Sequence, residues 1–224
     1  MNSQRVGLLL LLAVAGCASG PSFPQPIERE LLLQPDHPEF TTPAPDTFRV
    51  LFETTAGDFV VESVREWAPH GNDRFFNLVR AGFYDGVRFF RVVDGFVAQF
   101  GLNPDTDVIA AWRTATIPDD EVLESNVRGM ISFAAGDPDT RTTQLFINLD
   151  DNSRLDDLGF APIARIVEGE EMLDEIYREY GEGAPRGPGP SQAQINEEGE
   201  AYLEREFPLL DRILTARIVS VSDG

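Results

Sequence analysis

The order of apolar and polar residues divides most of this chain into strands and helices. Short apolar or alternating runs bounded by Gly, Asp and Pro predict strands. They cover residues 48–54, 58–63, 87–93, 96–101, 130–135, 143–148, 160–167 and 213–221. Helical spacing predicts helices over 70–82 and 170–181, and 195–207 is a candidate for a third. Residues 102–127 are polar and weakly periodic, so we expect a long loop there.

This element content predicts a mainly β domain over residues 47–222. Eight short strands with only two or three helices favour an antiparallel arrangement. A closed eight-stranded antiparallel barrel is the expected architecture, because closure leaves no strand edge free to pair with other chains.

The start of the chain has the pattern of an export signal. Arg5 supplies a positive charge, and the ten apolar residues 6–15 are too few to span a bilayer. Small residues then precede Cys17, the only cysteine, as in the bacterial lipobox that is cut before a lipidated cysteine. We therefore expect a signal peptide over 1–16 and a lipid anchor at Cys17. The domain would then lie in the bacterial cell envelope, attached to a membrane and facing the periplasm.

Two further points concern this anchor. An ordinary secretory signal cut near Ala15 or Ala18 is the alternative, and it would leave a free thiol. No aspartate follows the cysteine, so the outer membrane is preferred over the inner membrane. Residues 18–46 hold seven prolines, which predicts an extended tether over 17–46. Whether its apolar segment 28–33 docks on the domain is open.

Charge and composition exclude several kinds of function. The chain has 38 acidic and 18 basic residues and a net charge of −20, with no lysine, so it lacks the basic footprint that nucleic-acid binding needs. Its two histidines are His37 and His70, and its one cysteine lies in the leader. We therefore expect no metal site, no cofactor, and no Cys–His or Ser–His catalytic pair.

One arginine lies where the apolar pattern predicts core. In the stretch GVRFFRVVDGFVAQFG, residues 86–101, Arg91 would share a strand face with Phe89 and Val93. Burying an unpaired guanidinium would cost several kcal/mol. Arg91 therefore faces either solvent, as a snorkelling surface residue, or a functional cleft, and this stretch alone leaves both open.

Arg91 belongs to the first of three sequence blocks that together resemble cyclophilin-type peptidyl-prolyl isomerases. The first block is FYDG (83–86) with FFRVVDGFVAQFG (89–101), and the second is GMISFAA (129–135) with TQLFI (143–147). The third, LDDLGFAP (155–162), resembles the bacterial form of the family. The resemblance covers about 48–180 and the last strand. Much of 182–210 lies outside it and is expected to be an insertion.

The resemblance implies a closed eight-stranded antiparallel barrel capped by two or three helices. It also implies an isomerase whose active groove lies on the outer wall of this barrel. Arg91 matches the catalytic arginine of the family, and Gln99 matches the glutamine beside it. The expected substrate-binding residues are Phe96, Val97, Ala134, Ala135, Gln144, Phe146, Leu155 and Phe160. The expected partners are proline-containing polypeptides, bound by a monomer without a cofactor.

The chain also departs from the family pattern. Phe90 and Phe160 stand where the family often has histidine, Val97 where it often has methionine, and Ala135 where asparagine is common. Arg154 replaces a tryptophan that is important for cyclosporin binding in many eukaryotic members. These changes leave the expected chemistry intact but bear on peptide preference. The alternative to an isomerase that assists exported proteins is a proline-binding adaptor or holdase with little turnover.

The lipobox makes a direct prediction about membrane attachment. Cys17→Ser should move the protein from the membrane fraction to the soluble fraction, because the modified thiol is lost. Ala18→Ser, which keeps the cysteine, should remain with the membranes. Cell fractionation followed by immunoblotting measures both. A Cys17→Ser protein that still sediments with membranes would contradict the lipobox interpretation.

Overall fold

The computed structural model describes residues 27–222, and the antiparallel strands predicted from the sequence form a sheet within this range. The strands are β1 (Thr47–Thr54), β2 (Phe59–Val64), β3 (Arg91–Val93), β4 (Val97–Phe100), β5 (Met130–Phe133), β6 (Leu145–Asn148), β7 (Pro162–Glu168) and β8 (Ile213–Ser222). The α-helices are α1 (Pro69–Arg80), α2 (Thr106–Trp112), α3 (Met172–Glu175), α4 (Gln192–Glu198) and α5 (Glu200–Glu206). Short 3₁₀ helices span Arg29–Leu33, Pro38–Thr41, Arg65–Trp67 and Ser153–Leu158.

The eight strands form one sheet in the order β3-β4-β6-β5-β7-β2-β1-β8, and every pairing is antiparallel. β3 and β8 therefore lie at the two ends of the order. Just before these strands, an isolated bridge joins Arg88 to Arg212. The eight-stranded antiparallel fold is confirmed, whereas full closure of the barrel stays a prediction.

Phenylalanine fills the main core between the sheet and α1. The alternation in β1 buries Phe48, Val50 and Phe52, as a strand with one face toward the core requires. Phe52 stacks on Phe59 of β2 with ring centroids 4.8 Å apart. Phe75 of α1 lies 6.3 Å from the ring of Phe52. The aromatic-rich composition is thus used to cover the inner face of β1 and β2.

The segment before β1 docks on the domain, which answers the question that the sequence left open. Leu32 is 1% exposed, and its carbonyl accepts a hydrogen bond of 2.7 Å from Trp112 Nε1. Ile27 N donates to Arg80 O at 3.0 Å, and Asn77 Nδ2 donates to Phe40 O at 3.1 Å. The predicted tether is therefore packed against the domain from Ile27 onward. The predicted signal peptide and Cys17 lie outside the described residues.

The loop predicted over 102–127 contains a helix, α2, and this part of the prediction was wrong. Asp105 caps the helix, because its side chain accepts a hydrogen bond of 2.9 Å from Asp107 N. Val108, Ile109 and Trp112 are its buried residues. Three apolar anchors in seven residues are too short a pattern to stand out from a polar background.

Two other predicted elements are shorter in the structure. The strand predicted over 87–93 is regular only at Arg91–Val93. The helix predicted over 170–181 keeps only Met172–Glu175, because Ile176 turns to an extended conformation at ψ 127°. Tyr177 N then donates to Asp211 Oδ2 at 2.8 Å, so a long-range contact replaces the next turn of the helix.

The 182–210 region folds into two short helices, α4 and α5. They replace the candidate helix over 195–207, which is broken at Gly199. Gly199 has φ 59°, and a Cβ there would lie 2.8 Å from Pro104 O. Arg88, 6% exposed, ties α5 to the strand layer by donating to Glu200 and to Leu210 O. None of the helices within residues 27–222 has the length and apolarity needed to cross a membrane.

The docked N-terminal segment should contribute to stability through Leu32. Leu32→Ala should lower the free energy of unfolding by about 2 kcal/mol, because a buried leucine is replaced by a cavity. Leu33→Ala is the matched control, because Leu33 is 52% exposed and its loss should change stability by less than about 0.5 kcal/mol. Urea-induced unfolding measures both. Equal stability of the two variants would show that the segment is loose in solution.

Candidate functional site

The register of neighbouring strands brings Arg91, Gln99 and Phe146 into one row. Arg91 of β3 is directly opposite Gln99 of β4, and Gln99 is opposite Phe146 of β6. Residues directly opposite each other in antiparallel strands share a face, so the three side chains project from the same side of the sheet. A charge, an amide and an aromatic ring are thereby held on adjacent strands.

The guanidinium of Arg91 has partners on several sides. Its side chain is 17% exposed, and Nη1 donates to Gln99 Oε1 at 3.1 Å. Nε and Nη2 donate to the two carboxylate oxygens of Glu182, each at 2.7 Å. The ring of Phe96 lies 5.5 Å from Arg91 Cζ, within the range of a cation–π contact. Arg91 is thus neither a free surface arginine nor an unpaired buried charge.

An apolar pocket lies next to this arginine. Val97, Phe146 and Leu155 are buried together, and Phe96, Ala134 and Phe160 pack against them. The rings of Phe146 and Phe160 meet edge to face with centroids 5.7 Å apart. The guanidinium of Arg154 lies over the ring of Phe96, with Cζ 4.9 Å from the ring centroid.

Arg91 and the apolar pocket open into one cavity of about 520 Å³. Every site residue expected within the domain lines it: Arg91, Phe96, Val97, Gln99, Ala134, Ala135, Gln144, Phe146, Leu155 and Phe160. The structure therefore brings together residues that are up to 69 positions apart in the chain, from 91 to 160. Their roles in binding and catalysis stay predictions.

The expectation that Phe89, Arg91 and Val93 share a strand face was wrong for Phe89. Regular pairing begins at Arg91, so Phe89 precedes the strand. Phe89 is fully buried in the main core, where its ring lies 5.4 Å from that of Phe100. The apolar neighbour of Arg91 along the chain is thus part of the core, while Arg91 itself turns to the cavity.

A buried polar network holds the pocket segment that carries Leu155 and Phe160. Asn126 Nδ2 donates to Asp156 Oδ1 at 2.8 Å and to Phe160 O at 2.7 Å. Ser132 Oγ donates to Asn126 Oδ1 at 2.8 Å, which connects the network to β5. Burial alone would raise the pKa of Asp156, but hydrogen bonds from Ser125 and Asn126 outweigh it and hold that pKa below its ordinary value.

A row of amides continues the site toward α4. Gln99 Nε2 donates to Gln144 Oε1 at 2.8 Å, and Gln144 Nε2 donates to Gln192 Oε1 at 3.2 Å. Gln192 is the first residue of α4, so the region 182–210 contacts the rim of the cavity. Within residues 27–222, no three His, Cys, Asp or Glu side chains are grouped so that they could hold a metal ion.

Glu182 makes the closest polar contacts of Arg91, at 2.7 Å, and was not predicted from the sequence. Hydrogen bonds from the Arg91 guanidinium hold the pKa of Glu182 below its ordinary value, so this carboxyl group is charged at neutral pH. Glu182 lies in a Gly- and Pro-rich stretch without periodicity, 91 residues from its partner. No local pattern in the sequence distinguishes it from the many surface carboxylates.

Phe90 packs under the same region of the chain. It is 1% exposed and belongs to a second apolar cluster with Ile109 of α2, Ile195 of α4 and Leu203 of α5, among others. Phe90 also borders the cavity beside Arg91. The family often has histidine at this position. The phenylalanine of this chain instead packs against apolar residues of α2, α4 and α5.

Comparison with known proteins connects this site to one family. The model of the family "Cyclophilin type peptidyl-prolyl cis-trans isomerase/CLD" matches residues 49–196. Peptidyl-prolyl cis-trans isomerase A of Dickeya dadantii is 36% identical over 133 residues, covering 57% of this chain and 70% of that protein. Peptidyl-prolyl cis-trans isomerase B of Escherichia coli is 31% identical over 136 residues, covering 57% of this chain and 82% of that protein.

Solved structures show the same fold. A cyclophilin-type peptidyl-prolyl cis-trans isomerase of Cryptosporidium parvum superposes with a TM-score of 0.58 at 19% identity, covering 79% of this chain and 99% of the other. Its crystal structure in the presence of the dipeptide Ala-Pro gives a TM-score of 0.56 at 20% identity, with coverage of 77% and 99%. At these identities the likeness concerns the fold.

The apolar surroundings of Phe90 predict that histidine is not tolerated there without cost. Phe90→His should lower the free energy of unfolding by about 2 kcal/mol, because an imidazole would lie in an apolar cluster. Phe90→Leu keeps the position apolar and should cost less than Phe90→His. Thermal or urea unfolding of the two variants makes the comparison. A Phe90→His protein as stable as Phe90→Leu would contradict this account of the cluster.

Proposed function

This chain belongs to the cyclophilin-type family of peptidyl-prolyl cis-trans isomerases and is an isomerase, and from this premise we propose that it acts on Xaa-Pro bonds of exported proteins with Arg91 as the catalytic group. The observation that carries the proposal is the placement of the Arg91 guanidinium beside an apolar pocket in one open cavity. Such a pocket suits a proline ring, and the guanidinium suits the prolyl nitrogen next to it.

The chemistry requires no nucleophile, metal or proton transfer. Partial double-bond character gives the peptide C–N bond a rotation barrier of about 18–20 kcal/mol. Prolyl bonds cross their barrier in tens to hundreds of seconds without a catalyst. Rotation becomes faster when the nitrogen lone pair is withdrawn from resonance, because the bond then approaches a single bond.

Arg91 can provide this effect by hydrogen bonding to the prolyl nitrogen in the twisted state. In the planar state the lone pair is delocalised and accepts such a bond poorly, so the interaction favours the transition state over the ground state. Each preference of about 1.4 kcal/mol gives a tenfold rate increase. A guanidinium remains charged at any working pH and offers N–H donors in a fixed geometry.

The apolar pocket provides the complementary function of holding the ring. Phe96, Phe146 and Leu155 would enclose the proline while the carbonyl on its N-terminal side rotates. Gln99 holds Nη1 of Arg91, and Gln144 on the rim of the cavity is placed to meet the peptide backbone. Rotation about the prolyl C–N bond requires that one side of the bond is held while the other side is free to turn.

We also propose that the protein works as a monomer in the bacterial cell envelope. The support is the leader sequence with Cys17, which indicates export and lipid anchoring with a preference for the outer membrane. The clients would then be unfolded or partly folded exported polypeptides that contain proline. The full chain has a net charge of −20, and an acidic surface of this kind favours a soluble, self-repelling domain beside the membrane.

The test of the proposed mechanism is a prolyl-peptide isomerisation assay. Arg91→Ala should lower kcat/KM by about 100-fold, as expected when one preorganised hydrogen-bond donor to a transition state is removed. Arg49→Ala is the matched control, because Arg49 pairs with Glu62 on β1 and β2 and does not line the cavity. An Arg91→Ala protein as fast as the wild type would rule out the arginine mechanism. Tight proline-peptide binding with negligible turnover by the wild type would favour the adaptor alternative.

A further inference from the structure

Glu182 lies against the side chain to which the proposed function assigns catalysis. Its two carboxylate oxygens accept hydrogen bonds from Arg91 Nε and Nη2, both at 2.7 Å. This paired arrangement is the geometry in which an arginine and a carboxylate fix each other most strongly, because two parallel bonds define both distance and orientation. Glu182, Arg91 and the side chains of the apolar pocket all line the same cavity.

The contact with Glu182 leaves part of the guanidinium available to a substrate. A guanidinium has five N–H groups. Three of those of Arg91 are engaged, two by Glu182 and one by Gln99 Oε1 at 3.1 Å. One N–H on Nη1 and one on Nη2 are left to meet a peptide. The cavity of about 520 Å³ stays open with Glu182 in place, so the carboxylate holds one edge of the guanidinium without filling the site.

The backbone around Glu182 is itself fixed by the loop that carries it. Gly189 N donates to Glu182 O at 2.9 Å, which closes the loop on this residue. A Cβ at Gly187 would lie 2.4 Å from Glu182 O, so only glycine allows this close approach. Gly183 N also donates to Glu182 Oε1 at 2.9 Å and orients the carboxylate. The backbone of Glu182 is thus held by Gly189, and the orientation of its carboxylate is held by Gly183.

We propose that Glu182 is a positioning residue for isomerisation, which clamps the Nε and Nη2 edge of Arg91 while Gln99 holds Nη1. With the hydrogen bonds to Glu182 and Gln99 in place, the guanidinium keeps a single orientation. In this orientation its remaining N–H donors point at the prolyl bond of a bound peptide. The inference rests on the proposed function of Arg91, and it assigns a role in the reaction to the loop at 182–190. Preorganising a donor in this way lowers the reorganisation needed to reach the transition state.

The experiment compares variants of the full-length protein in the isomerisation assay, with kcat and KM measured separately. Glu182→Gln should lower kcat by about tenfold and change KM less than about twofold, because an amide presents one acceptor and opposes the second N–H with its own donors. Glu182→Asp keeps the charge and should fall between wild type and Glu182→Gln. Glu179→Gln is the matched control, an exposed acid-to-amide change three residues earlier, and should match wild type.

A spectroscopic measurement separates positioning from a merely structural role. The Arg91 Nε–H resonance, assigned by its disappearance in Arg91→Ala, should move upfield in Glu182→Gln and stay in place in Glu179→Gln. Thermal unfolding of each variant establishes that the kinetic values refer to folded protein. A Glu182→Gln protein whose Nε–H resonance and kcat both match wild type would overturn the proposal.

The remaining outcomes distinguish this proposal from the one on which it rests. If Arg91→Ala keeps full activity, the arginine mechanism fails and the role of Glu182 fails with it. If Arg91→Ala is inactive but Glu182→Gln keeps its kcat, only the positioning role is overturned. A rise in kcat/KM for Glu182→Gln would show that the carboxylate competes with the substrate for Arg91, which also overturns it.

Discussion

The site depends on keeping a permanent charge beside an apolar pocket. A guanidinium cannot lose its proton in a protein, so a mostly buried one must find acceptors for its N–H groups or pay a large desolvation cost. Arg91 finds them in Gln99 on the neighbouring strand and in Glu182 on a distant loop. The register of β3, β4 and β6 supplies the first partner. The fold of residues 182–210 supplies the second.

The region that carries the second partner, Glu182, also packs against the residues that precede Arg91. Phe90, next to Arg91 in sequence, is buried under residues of α2, α4 and α5. Arg88, two residues earlier, binds Glu200 on α5. Three residues of the segment 88–91, namely Arg88, Phe90 and Arg91, thus contact the region 182–210. Residues of the region 182–210 in this way form part of the wall of the cavity.

The sequence was most informative where structure is local or carried by family motifs. The strands around Arg91, Phe133 and Phe146 were predicted from apolar runs, and the residues expected in the groove all line one cavity. The sequence was least informative where a hydrogen bond between distant residues overrides the local helix or strand preference. Tyr177 leaves its helix to bond Asp211, and Glu182 reaches Arg91 across 91 positions, neither of which periodicity can reveal. The seven-residue α2 was missed because its apolar anchors are too few.

Docking of the N-terminal segment limits how far the domain could extend from the proposed lipid anchor at Cys17. A fully extended chain spans at most about 3.6 Å per residue. If the tether were free to residue 46, its 29 steps from Cys17 would reach about 100 Å. Because Ile27 is bonded to Arg80 at the end of α1, only ten steps are available, or about 36 Å. If Cys17 carries the proposed lipid, the start of the domain would therefore stay within about 36 Å of its membrane, and the isomerase would meet its clients close to that surface.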